Sequence, residues 1–297
     1  MKSTWIATMA LLIGTMALAA PVPKSSKEEL LFVSKRTGSA NIFSWKPDDK
    51  EPKNLTDSKA NNSYPCWSPD GKKIAFASDR DGAMQIFTMD ADGKDQKAIT
   101  KGESICRVPT WSADGKVIAF TRYTAANSSE IVTVDPDGKK EKVIGDKDGW
   151  DPAFSPDGKK IAFVSFREGG GFNLYTSDVD GKESKKLTGK ANPIGFAYPS
   201  WSADSKTIYF AHANEDMGID VFRIGADGKD QKQITKHGGI TTYATLSPDG
   251  KKLVYFHSKD NETGAFYMAE ADGANAKEIF KDEGAVEGGR ACWKPGK

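Results

Sequence analysis

A tryptophan, or an apolar residue standing in its place, returns at Trp67, Trp111, Phe154, Trp201, Leu246 and Trp293, at intervals of 43 to 47 residues. In three copies the next four residues read Ser-Pro-Asp-Gly, at Ser68 to Gly71, Ser155 to Gly158 and Ser247 to Gly250. Proline fixes φ at the second turn position and glycine is free to take a positive φ at the fourth, so each copy closes a tight hairpin. Apolar runs follow: "IAFAS", "IAFTR", "IAFVS", "IYFAH" and "LVYFH". They are short and rich in β-branched and aromatic residues, and no 3.6-residue periodicity accompanies them. A fixed period in the forties filled with short strands is the signature of propeller blades.

The rest of each unit agrees. Small Ala75, Ala119 and Ala162 alternate with large Phe76, Phe120 and Phe163, which lets the bulk of one blade sit against the shallow face of the next. The second strand is therefore predicted to be buried on both faces. Third strands such as "QIFTMD" and "NLYTSD" run into Asp-Gly turns at Asp92-Gly93, Asp137-Gly138, Asp180-Gly181, Asp227-Gly228 and Asp272-Gly273. Outer strands such as "KAIT" and "KQIT" carry charge, which discourages edge-to-edge association. The first unit begins at its second strand, Leu30 to Ser34, and the last fragment, "GRACWKPGK", is a first strand with nothing after it. Each supplies what the other lacks. The expected fold is all-β: a six-bladed β-propeller of four-stranded antiparallel blades over residues 29–297, its ring closed by the carboxy-terminal strand joining the amino-terminal blade.

Residues 1–19 read as a signal peptide, with Lys2, an apolar run to Leu18 and Ala17-Leu18-Ala19 as the small-residue cleavage site. Residues 20–28 form a short linker, and the location implied is periplasmic or secreted. The apolar run is shorter than the roughly 20 residues of a spanning helix, so no stable membrane insertion is expected after cleavage. Net charge is +1, which offers no basic excess for a phosphate backbone, and nucleic acid is not an expected partner. The three cysteines, Cys66, Cys106 and Cys292, match no metal knuckle or disulfide scaffold and read as buried small hydrophobes. One disulfide among them is the alternative, since Cys66 and Cys292 each stand immediately before a repeat tryptophan.

Chemistry is harder to find. Counted from Asp90, "DADGKD" puts Gly93 at position four and Lys101 at twelve of a calcium loop, where six and a glutamate are required, so the string is a hairpin. No G-x-S-x-G elbow occurs, and no catalytic residue or cofactor is assigned. His212 and His257 end the second strands of neighbouring units and His237 lies between them; a three-histidine metal site is the alternative to three independent histidines. Residues entering the innermost strands are Tyr64, Val108, Asp151, Tyr198, Tyr243 and Arg290, with Arg107 and Trp150 just before two of them. Aromatic side chains beside charged ones make a partner-binding mixture, and Tyr64, Arg107, Trp150, Asp151, Tyr198, Tyr243 and Arg290 are the expected contact residues at the channel mouth.

The unit "YPCWSPDGKKIAFASDRDGAMQIFTMDADGKDQKAIT" resembles the repeat of the TolB-like family of six-bladed propellers and the wider WD-type families, and the likeness extends over almost all the chain after the signal. It implies a monomeric binding scaffold for a protein, a peptide or an envelope glycan, in TolB itself an envelope lipoprotein. TolB carries an α/β domain before its propeller, whereas about ten residues stand here between signal and first strand, so this chain resembles the propeller without that domain. Some propeller lyases of similar repeat use metal-binding histidines, which makes a metal-dependent lyase or hydrolase the alternative function.

Overall fold

The computed structural model describes residues 28–296 apart from 126–127, 146–147, 169–170, 190–196, 260–262 and 283–288. The expected signal peptide and nearly all of the expected linker lie outside the described residues. Every regular element among the described residues is a strand. The first meander is β1 (Leu30–Thr37), β2 (Ser39–Trp45) and β3 (Lys53–Asn54). The second is β4 (Asn62–Trp67), β5 (Lys73–Ser78), β6 (Gln85–Asp90) and β7 (Lys97–Ala98). Then come β8 (Cys106–Trp111), β9 (Ile118–Ala125), β10 (Ser128–Val134) and β11 (Lys142–Ile144), followed by β12 (Trp150–Phe154), β13 (Lys160–Ser165), β14 (Asn173–Asp178) and β15 (Lys185–Lys186). The last are β16 (Ser200–Trp201), β17 (Thr207–Ala213), β18 (Ile219–Gly225) and β19 (Lys232–Gln233), then β20 (Ile240–Leu246), β21 (Lys252–Ser258), β22 (Gly264–Glu270), β23 (Lys277–Asp282) and a lone β24 (Cys292–Trp293).

Four of the sheets are four-stranded, in the orders β24-β1-β2-β3, β4-β5-β6-β7, β11-β10-β9-β8 and β12-β13-β14-β15. The expectation of six separate sheets is corrected by the fifth, which joins β16–β19 and β20–β23 into one eight-stranded sheet. The link is a single parallel pairing, Ile219 with Ile240, next to a hydrogen bond from the Ile219 N–H to the Gly239 carbonyl. Glycine permits the approach: a Cβ on Gly218 would lie 2.8 Å from the Gly239 carbonyl oxygen, and one on Gly239 would lie 2.5 Å from that of Ser258.

β24 pairs antiparallel with β1, Trp293 opposite Leu30 and Cys292 opposite Leu31. The Lys294 N–H donates to the Glu29 carbonyl at 2.8 Å, and its ammonium reaches the Glu29 carboxylate at the same distance. β24 also packs against β4 on one side and β20 on the other, while β4, β8, β12, β16 and β20 touch in succession.

The second strands are buried on both faces: Leu30, Leu31, Phe32 and Val33, and Ile74, Ala75, Phe76 and Ala77, are all 0–1% exposed. At each hairpin a serine hydroxyl donates to an aspartate two residues on, as from Ser68 to Asp70 at 2.6 Å, and accepts the N–H of the residue opening the second strand. The same pattern returns at Ser112, Ser155, Ser202 and Ser247. These hydroxyl bonds, with the N–H of the lysine at the end of the turn, hold the Asp70, Asp114, Asp157, Asp204 and Asp249 carboxyls below the usual range.

Three blades share a further device. Arg36, Arg80 and Arg167 each donate from Nε to the serine two residues earlier at 3.0 Å. Each guanidinium then lies over a stacked aromatic pair, 4.8–5.5 Å from the centroids: Phe32 and Phe43, Phe76 and Phe87, Phe163 and Tyr175. A cation over a ring face with its edge hydrogen-bonded to the strand end ties second and third strands together.

Candidate functional site

In or just before five inner strands one residue takes the same unusual backbone conformation. Tyr64, Val108, Asp151, Tyr198 and Tyr243 all take the left-handed conformation, with φ between +42° and +57°. In four of these blades the register slips at that point, between Ser63 and Cys66, Arg107 and Thr110, Trp150 and Ala153, and Thr242 and Thr245. A bulge re-aims the side chain it carries, and a left-handed non-glycine residue costs on the order of 1–2 kcal/mol, so five in matching positions are a designed feature.

Four of these residues and Arg290 form one electrostatic cluster. The Tyr198 and Tyr243 rings lie 4.2 Å apart. The Asp151 carboxylate accepts the Tyr198 backbone N–H, and the Asp151 N–H donates to Thr121 Oγ1 at 3.0 Å. Burial pushes the Asp151 carboxyl up to about 6, against the nearby positive charge of Arg290. Burial, with Tyr243, Tyr64 and Asp151 around it, pushes the Tyr198 hydroxyl well above its ordinary value.

The expected contact residues divide into three groups. Tyr64 and Tyr243 are only 4% and 7% exposed, so they back the cluster, while Asp151, Tyr198 and Arg290 are half-buried. Arg107 and Trp150 turn to their own blades: the Arg107 guanidinium lies 6.0 Å from the Tyr123 ring, and Trp150 makes an edge contact with Phe172 at 5.4 Å. Phe166, 46% exposed, adds to that aromatic group at 5.5 Å from Phe172. Exposed Ile105 precedes β8, and exposed Met217 lies in the β17–β18 loop. Sequence reasoning missed Ile105, Phe166 and Met217 because they fall in loops outside the repeat, where no periodicity marks them.

The histidines have other partners. His212 and His257 occupy the strand position that serine fills beneath the arginines of other blades. His212 makes edge contacts with Phe210 and Phe222 at 5.9 and 5.4 Å. His237 covers the stacked Tyr255 and Tyr267 rings at 5.5 Å from each, with Nε2 2.7 Å from the Tyr255 hydroxyl. His257 lies 4.9 Å from His237, its Nδ1 3.1 Å from Thr241 Oγ1. Burial lowers the His237 and His257 pKa values. Among the described residues no group of three or more His, Cys, Asp or Glu could hold a metal ion.

The TolB beta propeller domain family matches the chain over residues 15–149 and 88–285. The structure is similar to TolB from Acinetobacter baumannii, with a TM-score of 0.77 at 25% identity, over 91% of this chain and 67% of that one. It is similar to a protein described as a TolB from Agrobacterium tumefaciens, with a TM-score of 0.72 at 20% identity, over 91% of this chain and 98% of that one. An oligogalacturonate lyase in complex with manganese matches at a TM-score of 0.55 and 16% identity, over 86% of this chain and 75% of that one. The two likenesses below 25% concern the fold alone. No curated protein sequence matches the chain.

Proposed function

The chain belongs to the TolB β-propeller family, and from that premise we propose that it is an exported, monomeric binding scaffold. Its eight-stranded sheet is two blades joined at one point, making six in all, and β24 closes the ring. Residues 1–19 direct export to the periplasm or medium and are removed, residues 20–28 link, and residues 29–297 are the propeller. The partner is a protein or peptide segment that enters where the inner strands start. Asp151, Tyr198 and Arg290 meet it at the neck, Arg107 and Trp150 at the rim, with Tyr64 and Tyr243 holding the neck in shape.

The observation that carries this reading is the run of left-handed residues at one level of the inner strands. The same strained backbone is repeated while the side chain changes from Tyr to Val to Asp, which fits a surface selected for contact; strain tends to concentrate at such places. Aromatic and arginine side chains around a half-buried carboxylate suit a peptide with both polar and apolar groups. The lyase reading draws no support from the histidines, which pack against aromatic rings of their own blades.

Immobilised protein exposed to envelope extract, compared with Tyr198→Ala/Arg290→Ala and with a His212, His237 and His257 triple-alanine variant, tests the assignment. Capture of one protein by wild type and the histidine variant, but not by the neck variant, is expected. Equal capture by all three, or stoichiometric metal that disappears with the histidines, overturns it.

A further inference from the structure

One layer below the neck, the inner strands present a second row of side chains, each immediately before the repeat tryptophan or the apolar residue in its place: Cys66, Thr110, Ala153, Ser200, Thr245 and Cys292. Residues two apart on a strand share a face, so this row follows the one above it. The row is small and neutral except where β24 packs on β4, and there the two neighbours are both cysteine. The two side chains interact with each other, and both are free and half-buried. Backbone orients each sulfur: Cys66 Sγ donates to the Trp67 carbonyl at 3.7 Å, and Cys292 Sγ to that of Trp293 at 3.8 Å. Cys106 is apart, buried, with its thiol pushed up to about 11 by burial.

We propose that Cys66 and Cys292 form an intramolecular disulfide that locks the carboxy-terminal strand onto the blade built from β4 to β7. The strand needs such a lock. β24 holds β1 through two paired positions and the Lys294 bonds to Glu29, and no hairpin joins the two strands, which are far apart in the chain. The Lys294 ammonium already lies 4.6 Å from the centre of the Trp67 ring, so the same two segments touch above the thiols.

The oxidant is a small-molecule or protein disulfide. The Cys66 thiolate attacks one sulfur of that disulfide and expels the other as a thiolate, leaving a mixed disulfide on Cys66. Cys292 gives up its proton and attacks the Cys66 sulfur; the Cys66–oxidant bond breaks, and the second thiolate leaves with the electron pair. Two protein thiols are oxidised, one disulfide is reduced to two thiols, and the two protein protons pass to the departing thiolates. The contact with Cys292 and the charge of Arg290 favour the Cys66 thiolate that begins the exchange.

Full-length protein equilibrated with oxidised glutathione, then denatured and alkylated with a maleimide, is expected to keep one reactive thiol of three, at Cys106. Peptide mapping should recover a Cys66–Cys292 crosslink. Because the bond closes a loop of most of the chain, the melting temperature should rise by on the order of 10 °C and fall back with dithiothreitol. Cys66→Ser should abolish the redox-dependent shift and Cys106→Ser should leave it intact, and the wild-type comparison needs no variant that might fail to fold. Three thiols still alkylated after oxidation, a crosslink to Cys106, or disulfide-linked dimers would overturn the proposal.

Discussion

Each inner strand has two ends, and they differ in what is repeated. Where the strand leaves into the hairpin, the side chains recur: Ser68, Ser112, Ser155, Ser202 and Ser247 all bond the aspartate two residues on. Where the strand begins, the backbone recurs and the side chains do not: Tyr64, Val108, Asp151, Tyr198 and Tyr243 share one left-handed geometry. Identity kept at one end specifies the turn that every blade needs. Identity varied on a fixed backbone at the other end leaves room for recognition, so the two ends separate folding from function within one strand.

Removing both ends together should give the largest effect. Deleting Ala291 to Lys297 takes away Trp293, 5% exposed, and the β1–β24 pairing, a loss of about 3 kcal/mol or more against a typical total of roughly 5–15. Circular dichroism should show a protein unfolded or melting more than about 8 °C lower. A truncated chain melting within a degree or two of wild type would refute closure by β24.

Changing the variable end alone should cost binding. Tyr198→Ala/Arg290→Ala should weaken capture of the partner by about 2–4 kcal/mol, or roughly 30- to 1,000-fold, read by surface plasmon resonance. At the repeated end, Asp70→Ala and Asp157→Ala should do the converse. Each removes a serine–aspartate bond on an exposed turn and should lower the melting temperature by about 1–3 °C, with affinity unchanged. Turn variants that lose affinity without losing stability would collapse the distinction between the ends.

The smallest expected effect is electrostatic. The folded Asp151 carboxyl sits at about 6, above its unfolded value near 3.9. Its contribution to stability is therefore fully present below about pH 4 and is lost as pH rises through 6. Asp151→Asn is uncharged throughout, so its stability relative to wild type should grow between pH 4.5 and 7.5. A relative stability that falls over that interval would contradict the assigned direction.

The blades were readable in the sequence because their turns repeat Ser-x-Asp and their second strands alternate small with large residues. The arginine caps were present as Ser34-x-Arg36, Ser78-x-Arg80 and Ser165-x-Arg167, but a serine two residues before an arginine has no meaning until the third strand brings its aromatic ring alongside. The left-handed residues could not be foreseen. Four of the five precede a proline, at Pro65, Pro109, Pro152 and Pro199, where extended backbone is the ordinary expectation. Likewise the fusion of the last two blades depends on contacts of Gly218 and Gly239 that spacing does not reveal.

Amide hydrogen exchange of the free protein and of its complex with the captured partner tests the central claim most directly, because it reads both ends of every inner strand in one experiment. New protection is expected at 63–66, 107–110, 150–153, 197–200 and 242–245, with the hairpins at 68–72, 112–116, 155–159, 202–206 and 247–251 unchanged. Protection gained at the hairpins and absent from the strand starts would contradict the assignment of recognition to the left-handed end.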